Sequence, residues 1–390
     1  MSNPVMHDLP SLPRGRRMFR FTLLLVVLLG VFFVGRRVYY RLIQPPPAWL
    51  HETPRQEAVI AAAGLEVTLW ADGQLIHNPT SLAVDQRGRV WVTEAVNYRD
   101  WQNHQSTTDA LYRSGGDRVM ILADTNGDGT ADSASVFVED PDLIAPTGIC
   151  VAGNRVYVAC SPSLLVYVDE DGDDQADRRE EVLTGFGGKD HDHGIHGITL
   201  GPDGRLYFSV GNAGPHVITD RSGQTFRIGS VCQAITKETV DSDGSAVVNT
   251  GGMVSDDGHL YVGGFIGSIL PDGSDLRICA HNCRNPYDVA VDSSGNLWQT
   301  DNDDSLGCRM TWVLPGANLG FTSADGNRTW QADQRPGQDI ATAEWHQEDP
   351  GVLPAGLIYG TGAPTGLIRC EGNQLGKEWC GALLACDAGL

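Results

Sequence analysis

Two kinds of hydrophobic patterning divide the chain. Phe21 to Gly35 is an uncharged run of 15 residues, apolar but for Thr22, with Arg14, Arg16, Arg17 and Arg20 before it and Arg36, Arg37 and Arg41 after it. A helix that is apolar all round and bounded by arginines does not belong in the core of a small globular domain. With Met18 and Phe19 before it and Val38 to Tyr40 after it, the run approaches the roughly 20 residues that cross a bilayer, and the arginines can snorkel to the interface. This predicts a basic N-terminal tail over 1–20, a transmembrane signal anchor over 21–43 and a linker over 44–63, in which Gln44-Pro45-Pro46-Pro47 forms a short polyproline spacer. No A-x-A cleavage site follows, so an uncleaved anchor is expected rather than a cleaved signal peptide. A short N-terminal tail and a long C-terminal domain predict N-in, C-out: a single-pass protein of the cell (inner) membrane whose domain faces the periplasm or exterior.

From residue 64 onward short β-rich runs alternate with turn residues, and one phrase returns. It is a Pro or His with a small residue, a hydrophobic strand, a Gly or Asn turn, and a second strand centred on an aromatic. Copies open at Pro79, Pro146, His196, Gly252, Pro286 and Pro364; their second strands include Trp91, Tyr157, Tyr207, Tyr261 and Trp298. A period of this length with four or so strands is the pattern of propeller blades. The fold expected is therefore all-β: a six-bladed β-propeller over 64–390, preceded by one N-terminal transmembrane helix. Leu65 to Trp70 is expected to be the outer strand that closes the ring. The last blade is expected to be incomplete, with Leu383 to Asp387 as its second strand and the propeller truncated at the C-terminus. A β-sandwich would explain alternating strands but not the repeated phrase.

Charge then narrows the partners. The chain has 28 Lys and Arg against 49 Asp and Glu, and seven of the arginines lie in the first 43 residues. Such an acidic domain repels nucleic acid and anionic headgroups and favours divalent cations, so no nucleic-acid partner is expected. The nine cysteines include no CxxC and no CxxCH, which leaves neither a zinc ribbon nor an attached c-type haem. Cys150 and Cys160 lie about one hairpin apart, as do Cys370 and Cys380; cross-strand disulfides and buried free thiols both remain open.

Two loops carry oxygen ligands in a regular spacing. Asp124, Asn126, Asp128 and Asp132 occupy positions 1, 3, 5 and 9, with Gly129 at 6; Asp169, Asp171, Asp173 and Asp177 repeat the spacing one blade later, with Glu180 at 12. Hard cations such as Ca²⁺ take six to eight oxygens from tight loops of this kind. A structural calcium hairpin is expected at each; the bland alternative is a solvated acidic turn.

The least bland segment is Lys189 to Gly197, which packs His191, His193, His196, Asp190 and Asp192 immediately before a strand. An Asp beside a His can orient the imidazole and raise its basicity, as a general base requires. A surface metal site or solvated loop histidines are the competing readings.

Here a family resemblance enters. His193 followed by Gly201-Pro202-Asp203, then Arg284-Asn285-Pro286 followed by Gly295 and Asp301 to Asp304, resembles the soluble quinoprotein glucose and sorbosone dehydrogenases. More closely, HNPTSLAVDQRGRVWVTE, DTNGDGTAD, CRNPYDVAVDSSGNLWQTDNDD and WHQEDPGVLPAG are similar to the N-terminal propeller of proteins described as membrane-bound dehydrogenases, over roughly residues 64 to 390. The resemblance implies a six-bladed propeller carrying pyrroloquinoline quinone (PQQ) and Ca²⁺ on one face. It implies that His193 is the base taking the substrate hydroxyl proton, Asp192 its orienting partner, and Arg284 and Asn285 the holders of the quinone oxygens. Asn302 to Asp304 fall where the quinoproteins bind their active-site calcium, with Asp303 and Asp304 offering carboxylates. Thr361 stands where a cofactor-contacting Thr is expected, and Tyr359 replaces a Trp that covers the ring. The sequence departs from the pattern near its end, where a cofactor-binding Lys would fall at about Gly389 and later arginines beyond Leu390. With no helical repeats or cytochrome c, an external electron acceptor is implied. The expected function is a membrane-anchored, PQQ- and calcium-dependent dehydrogenase of sugars or related alcohols. The alternatives are a non-catalytic propeller binding carbohydrate or a protein partner, and a calcium-dependent lactonase using a metal-activated water.

Overall fold

The computed structural model describes residues 61, 63–98, 113, 115–188, 193–229, 237–240, 246–249, 252–303, 307–324, 326, 334–360 and 362–388. The proposed anchor and linker therefore lie outside the described residues, apart from 61 and 63. Two compact units are distinguished, 1–68 and 69–390. The described residues of the first form neither helix nor strand. Among the described residues no helix is long and apolar enough to cross a membrane.

Among its described residues the second unit is all-β apart from a five-residue helix, α1 (Ile340–Glu344), and one turn of 3-10 helix at Lys377–Trp379. Strands β1 (Pro79–Val84), β2 (Val90–Glu94), β3 (Asp117–Ala123) and β4 (Ser133–Asp140) form an antiparallel meander, and β5 (Gly148–Ala152), β6 (Arg155–Cys160), β7 (Ser163–Val168) and β8 (Arg178–Thr184) form a second. A third sheet starts with β9 (Ile195–Leu200) and β10 (Leu206–Val210) and is then interrupted. Strands β11 (His216–Thr219), β12 (Thr225–Gly229), β13 (Lys237–Val240), β14 (Ala246–Asn249) and β15 (Tyr261–Val262) make two small sheets of their own. Only then do β16 (Gly264–Ile269) and β17 (Arg277–Cys283) complete the order β9-β10-β16-β17. Strands β18 (Val289–Val291), β19 (Leu297–Asp301) and β20 (Cys308–Val313) follow; β21 (Ala317–Asn318) adds in parallel to β17, and β22 (Leu357–Gly360) completes the fourth sheet beside β20. The hairpin β23 (Pro364–Arg369) and β24 (Leu383–Asp387) comes last.

The first strands of the successive sheets lie side by side: β1 by β5, β5 by β9, β9 by β18 and β18 by β23. This fan places an apolar core between the first and second, second and third, and third and fourth sheets, so a strand inside it is buried on both faces. Strand β6 shows the division residue by residue. Tyr157 and Ala159 pack toward the third sheet with Ile198, Leu206 and Phe208, whereas Val156, Val158 and Cys160 pack toward the first with Trp91, Ile121 and Phe137. A third core, with Ile266, Val289, Leu297 and Val313, joins the third and fourth sheets.

The recurring phrase is explained by its turn. Asp85 accepts hydrogen bonds from the Arg87 and Arg89 amides, both at 2.9 Å, while Oδ2 accepts from Trp91 Nε1 at 3.0 Å; Gly88 supplies the left-handed residue at φ 79°. Tyr207 returns to Asp203 in the same way, at 2.9 Å. Strand, Asp-Gly turn and aromatic are thus one hydrogen-bonded unit.

Two expectations change. The copy at Gly252 opens no sheet of its own: its aromatic, Tyr261, pairs in parallel with Ile228 inside the interruption of the third sheet. Five of the six copies therefore open sheets. Residues 65–70 form no strand; Trp70 instead packs against Val92, Met120 and Leu122, and its carbonyl accepts the Ala131 amide at 2.7 Å. Of the two readings left open for the cysteines, free thiols hold for the described ones. Cys150 pairs in register with Tyr157, not Cys160, and the two thiols point into different cores. Cys370 and Cys380 remain thiols as well.

Candidate functional site

The ends of β9, β10, β17 and β19 converge, and the candidate residues are carried there by main-chain bonds that extend the third sheet past its strands. Gly211 N donates to Gly194 O at 2.7 Å, Ala213 N to His193 O at 3.2 Å, and Asn212 N to Arg284 O at 2.9 Å. His193, just before β9, is thereby set beside Asn212, whose Oδ1 lies 2.6 Å from His193 Nδ1. An amide oxygen at Nδ1 requires the proton there, which makes Nε2 the basic nitrogen. Asp192, expected in this orienting role, lies outside the described residues, as do Thr361 and Asp304.

Asn285 is buried, with its Oδ1 2.9 Å from Nε2 of the fully buried His196; the His196 ring stacks on Tyr287 with centroids 4.9 Å apart. Gly211 makes this packing feasible. A Cβ there would stand 2.5 Å from Asn285 Oδ1 and 2.6 Å from His193 Cα, so any side chain would push the candidate base and the candidate clamp apart.

Beneath them Asp301, fully buried at the end of β19, accepts the consecutive main-chain N–H groups of Arg284 (3.0 Å) and Asn285 (2.6 Å). Burial drives its pKa up to about 6, against the lowering influence of those hydrogen bonds and of the Arg309 and Arg284 charges. The Arg284 side chain bonds to Asn302 through Oδ1 and, at 3.4 Å, through the main-chain carbonyl; Asn302 Nδ2 in turn holds Gly362 O at 2.7 Å. Tyr359, on β22, is half-exposed, and burial pushes its phenol up, reinforced by the Cys308, Asp387 and Asp301 groups. Asp303 is buried, and its own amide and carbonyl bracket the Cys308 thiol at 3.2 and 3.1 Å.

The two acidic loops differ. In the first, Asp124 accepts from the Gly127, Asp128 and Gly129 amides, Asn126 from Asp128, Asp128 from Thr130, and Asp132 from the amide and hydroxyl of Thr125. In the second, ligand oxygens of Asp169, Asp171 and Asp177 all lie within 4.8 Å of one another, the one such cluster among the described residues. Asp173 bonds to Gln175, and Glu180 pairs with Arg178 and Arg221 on the sheet.

Residues 55–389 match the family described as Domain of unknown function (DUF7133). The chain belongs to that family. None of the curated proteins matches it. Solved structures similar to this DUF7133 chain include the PQQ-bound aldose sugar dehydrogenase of Streptomyces coelicolor, at 15% identity over 80% of this chain and 81% of that one, with a TM-score of 0.47. The PQQ domain of pyranose dehydrogenase from Coprinopsis cinerea is similar at 14% identity over 76% and 69% of the two chains, TM-score 0.47. A calcium structure of a Trichoderma reesei carbohydrate-active enzyme of family AA12 follows at 15% identity over 80% and 74%, TM-score 0.45.

In this DUF7133 chain the structure thus joins His193 to Arg284 through Asn212, which sequence reading did not single out, and ties Asn285 in through Asp301 and His196. It also adds His196, Gly211 and Asp301. His196 stood in the histidine cluster without a role, and Asp301 stood at the head of the Asp301 to Asp304 motif without one.

Proposed function

We propose that this chain is a quinoprotein-type dehydrogenase that oxidises sugars or related alcohols with PQQ, tethered to a cell membrane by residues 21–43 with its domain on the periplasmic or outer side. The observation that carries the reading is the junction of a basic His193 Nε2 with the Arg284 and Asn285 pair: Asn212 bonds both His193 and the Arg284 carbonyl, and Asp301 holds the Arg284 and Asn285 amides together. The five sheets are read as successive blades of a propeller; the count of six rests on the phrase, of which five copies open sheets.

The donor set suits an anionic quinone: a guanidinium and an amide come from the consecutive residues Arg284 and Asn285, and Gly211 lets Asn285 close on the main chain of His193. Arg284 and Asn285 would hold its oxygens, and Tyr359 and Thr361 would be the further contacts that the family resemblance implies. When bound, PQQ supplies the acceptor for the substrate's hydride. The protein's own contribution is then proton handling and positioning. His193 Nε2 takes the hydroxyl proton, Asn212 keeps Nδ1 protonated and the ring fixed, and Asp301 holds the Arg284-Asn285 main chain in place. A neutral amide at Nδ1 leaves the imidazole less basic than a carboxylate would.

A calcium ion at Asn302 to Asp304 does not fit in the same way. The Asn302 carbonyl already receives the Arg284 guanidinium and the Asp303 carbonyl the Cys308 thiol, and a guanidinium and a divalent cation on one carbonyl repel. We place calcium instead at Asp169, Asp171 and Asp177, where three converging carboxylates are costly without a cation. The carboxylates of both loops accept their own loop amides, but only those of the second converge among the described residues, so the first loop is the weaker site.

Adding PQQ and Ca²⁺ to the purified protein and following dye reduction with a panel of aldoses tests the reading. The expected result is sugar-dependent reduction that falls at least about 100-fold in His193→Ala. If no sugar reduces the dye and His193→Ala binds quinone like the parent, a non-catalytic binding propeller replaces it.

A further inference from the structure

The histidine cluster left His196 without a role, and the quinone reading does not use it. It is nonetheless the group that fixes the Asn285 amide. An Oδ1 at 2.9 Å from an imidazole nitrogen requires Nε2 to carry the proton, so the amide oxygen is consumed as the acceptor of that bond. The His196 ring cannot swing away, because it is fully buried and stacked on Tyr287 at 4.9 Å with 28° between the planes. Asn285 cannot move either. Its main-chain amide is held by Asp301 at 2.6 Å, and its oxygen lies where Gly211 has no side chain. A flip of the amide would set its NH₂ against the Nε2–H. The amide nitrogen is left as the outward polar group, and among the described residues it donates to none.

We propose that His196 is a positioning residue that locks the Asn285 amide with its NH₂ outward, so that this part of the site admits only ligands presenting a hydrogen-bond acceptor, such as a quinone carbonyl or a carboxylate. The inference rests on the quinone reading, which supplies the ligand, but concerns a residue that reading leaves idle.

The test measures PQQ affinity by fluorescence titration, with calcium present, for the parent, His196→Phe, His196→Gln and Asn285→Asp, with the melting temperature of each recorded alongside. Phe keeps a flat ring over Tyr287 and loses the donor; Gln restores a donor at about the same reach. PQQ affinity is expected to fall about tenfold in His196→Phe and to return to within about threefold of the parent in His196→Gln. Asn285→Asp keeps the oxygen facing His196 but turns a second oxygen outward, and is expected to lose about 100-fold. A parent that binds PQQ together with a His196→Phe variant of equal affinity overturns the lock and leaves the quinone reading standing. Asn285→Asp binding as tightly as the parent does the same, and serves if His196→Phe does not fold. A parent that binds no PQQ, with or without calcium, overturns both.

Discussion

Asp301→Asn separates two effects that one carboxylate combines. Asp301 accepts the main-chain N–H groups of Arg284 and Asn285, and it does so fully buried. Burial raises its pKa from 3.8 to about 6 in spite of those bonds and of the Arg309 charge. A rise of about 2 pH units corresponds to about 3 kcal/mol. Because the folded chain binds this proton more tightly than the unfolded chain, between about pH 4 and 6 the folded form is protonated while the unfolded form is ionised. Stability therefore falls by about 3 kcal/mol as pH rises across that window, and this contribution is constant above it. Asn cannot ionise, so the window disappears in the variant. Its single oxygen cannot serve two N–H donors, however, and an NH₂ turned against one of them costs about 1–3 kcal/mol at every pH. The variant should be less stable than the parent by about 1–3 kcal/mol at pH 4, and equal to it or up to about 2 kcal/mol more stable at pH 7.5. Urea unfolding of both proteins at several pH values gives the difference directly. Asp288, whose pKa burial raises to about 7, titrates over an overlapping range but is common to both and cancels. A difference that stays constant from pH 4 to 7.5 would refute the reasoning.

Gly211→Ala should push Asn285 and His193 apart and weaken PQQ binding at least about tenfold, as read by fluorescence titration; an unchanged affinity would show that the two residues do not act together. Calcium should raise the melting temperature of the parent and lose that effect in Asp171→Asn but not in Asp128→Asn, since the converging carboxylates are those of the second loop. Arg309 is fully buried, donates to Leu319 O (2.7 Å), Thr311 Oγ1 (3.0 Å) and Leu353 O (3.2 Å), and lies 4.9 Å from the Trp345 ring centroid. Arg309→Lys cannot reproduce that fork and should cost about 2–4 kcal/mol in urea unfolding; a change below about 0.5 kcal/mol would argue against it.

The blade phrase was legible because its chemistry is local. Asp85, Gly88 and Trp91 form a unit that writes itself into seven consecutive residues. The same locality misleads at Gly252. Asp257 there accepts from the His259 amide and from the Tyr261 hydroxyl as the other copies do, yet a turn does not determine which sheet its strands join. Leu65 to Trp70 alternates like a strand, but Trp70 finds its place by packing on Met120 and Leu122 rather than by pairing. At the site, His193, Arg284 and Asn285 stood out by residue type and by resemblance. Asn212 did not, because an Asn after a strand reads as a turn, and its function comes from bonds to residues 19 positions back and 72 positions ahead. Asp301 and Gly211 were hidden for the same reason: their meaning lies in which main chain they face.

The interruption of the third sheet has a consequence for the order of folding. Sheets one, two and four are joined largely strand to next strand, whereas β10 ends at Val210 and its partner β16 begins only at Gly264. Closing a loop of that length costs roughly 2 kcal/mol more in chain entropy than closing a hairpin of a few residues. The first two sheets can therefore form as each hairpin is made, while the third must wait for the inserted strands. His193 and Asn212 lie on the near side of that gap and Arg284 and Asn285 on the far side, so the candidate site is expected to be among the last parts of the chain to assemble. Any weakening of the insertion should then slow the gain of quinone binding more than it slows the gain of β-structure.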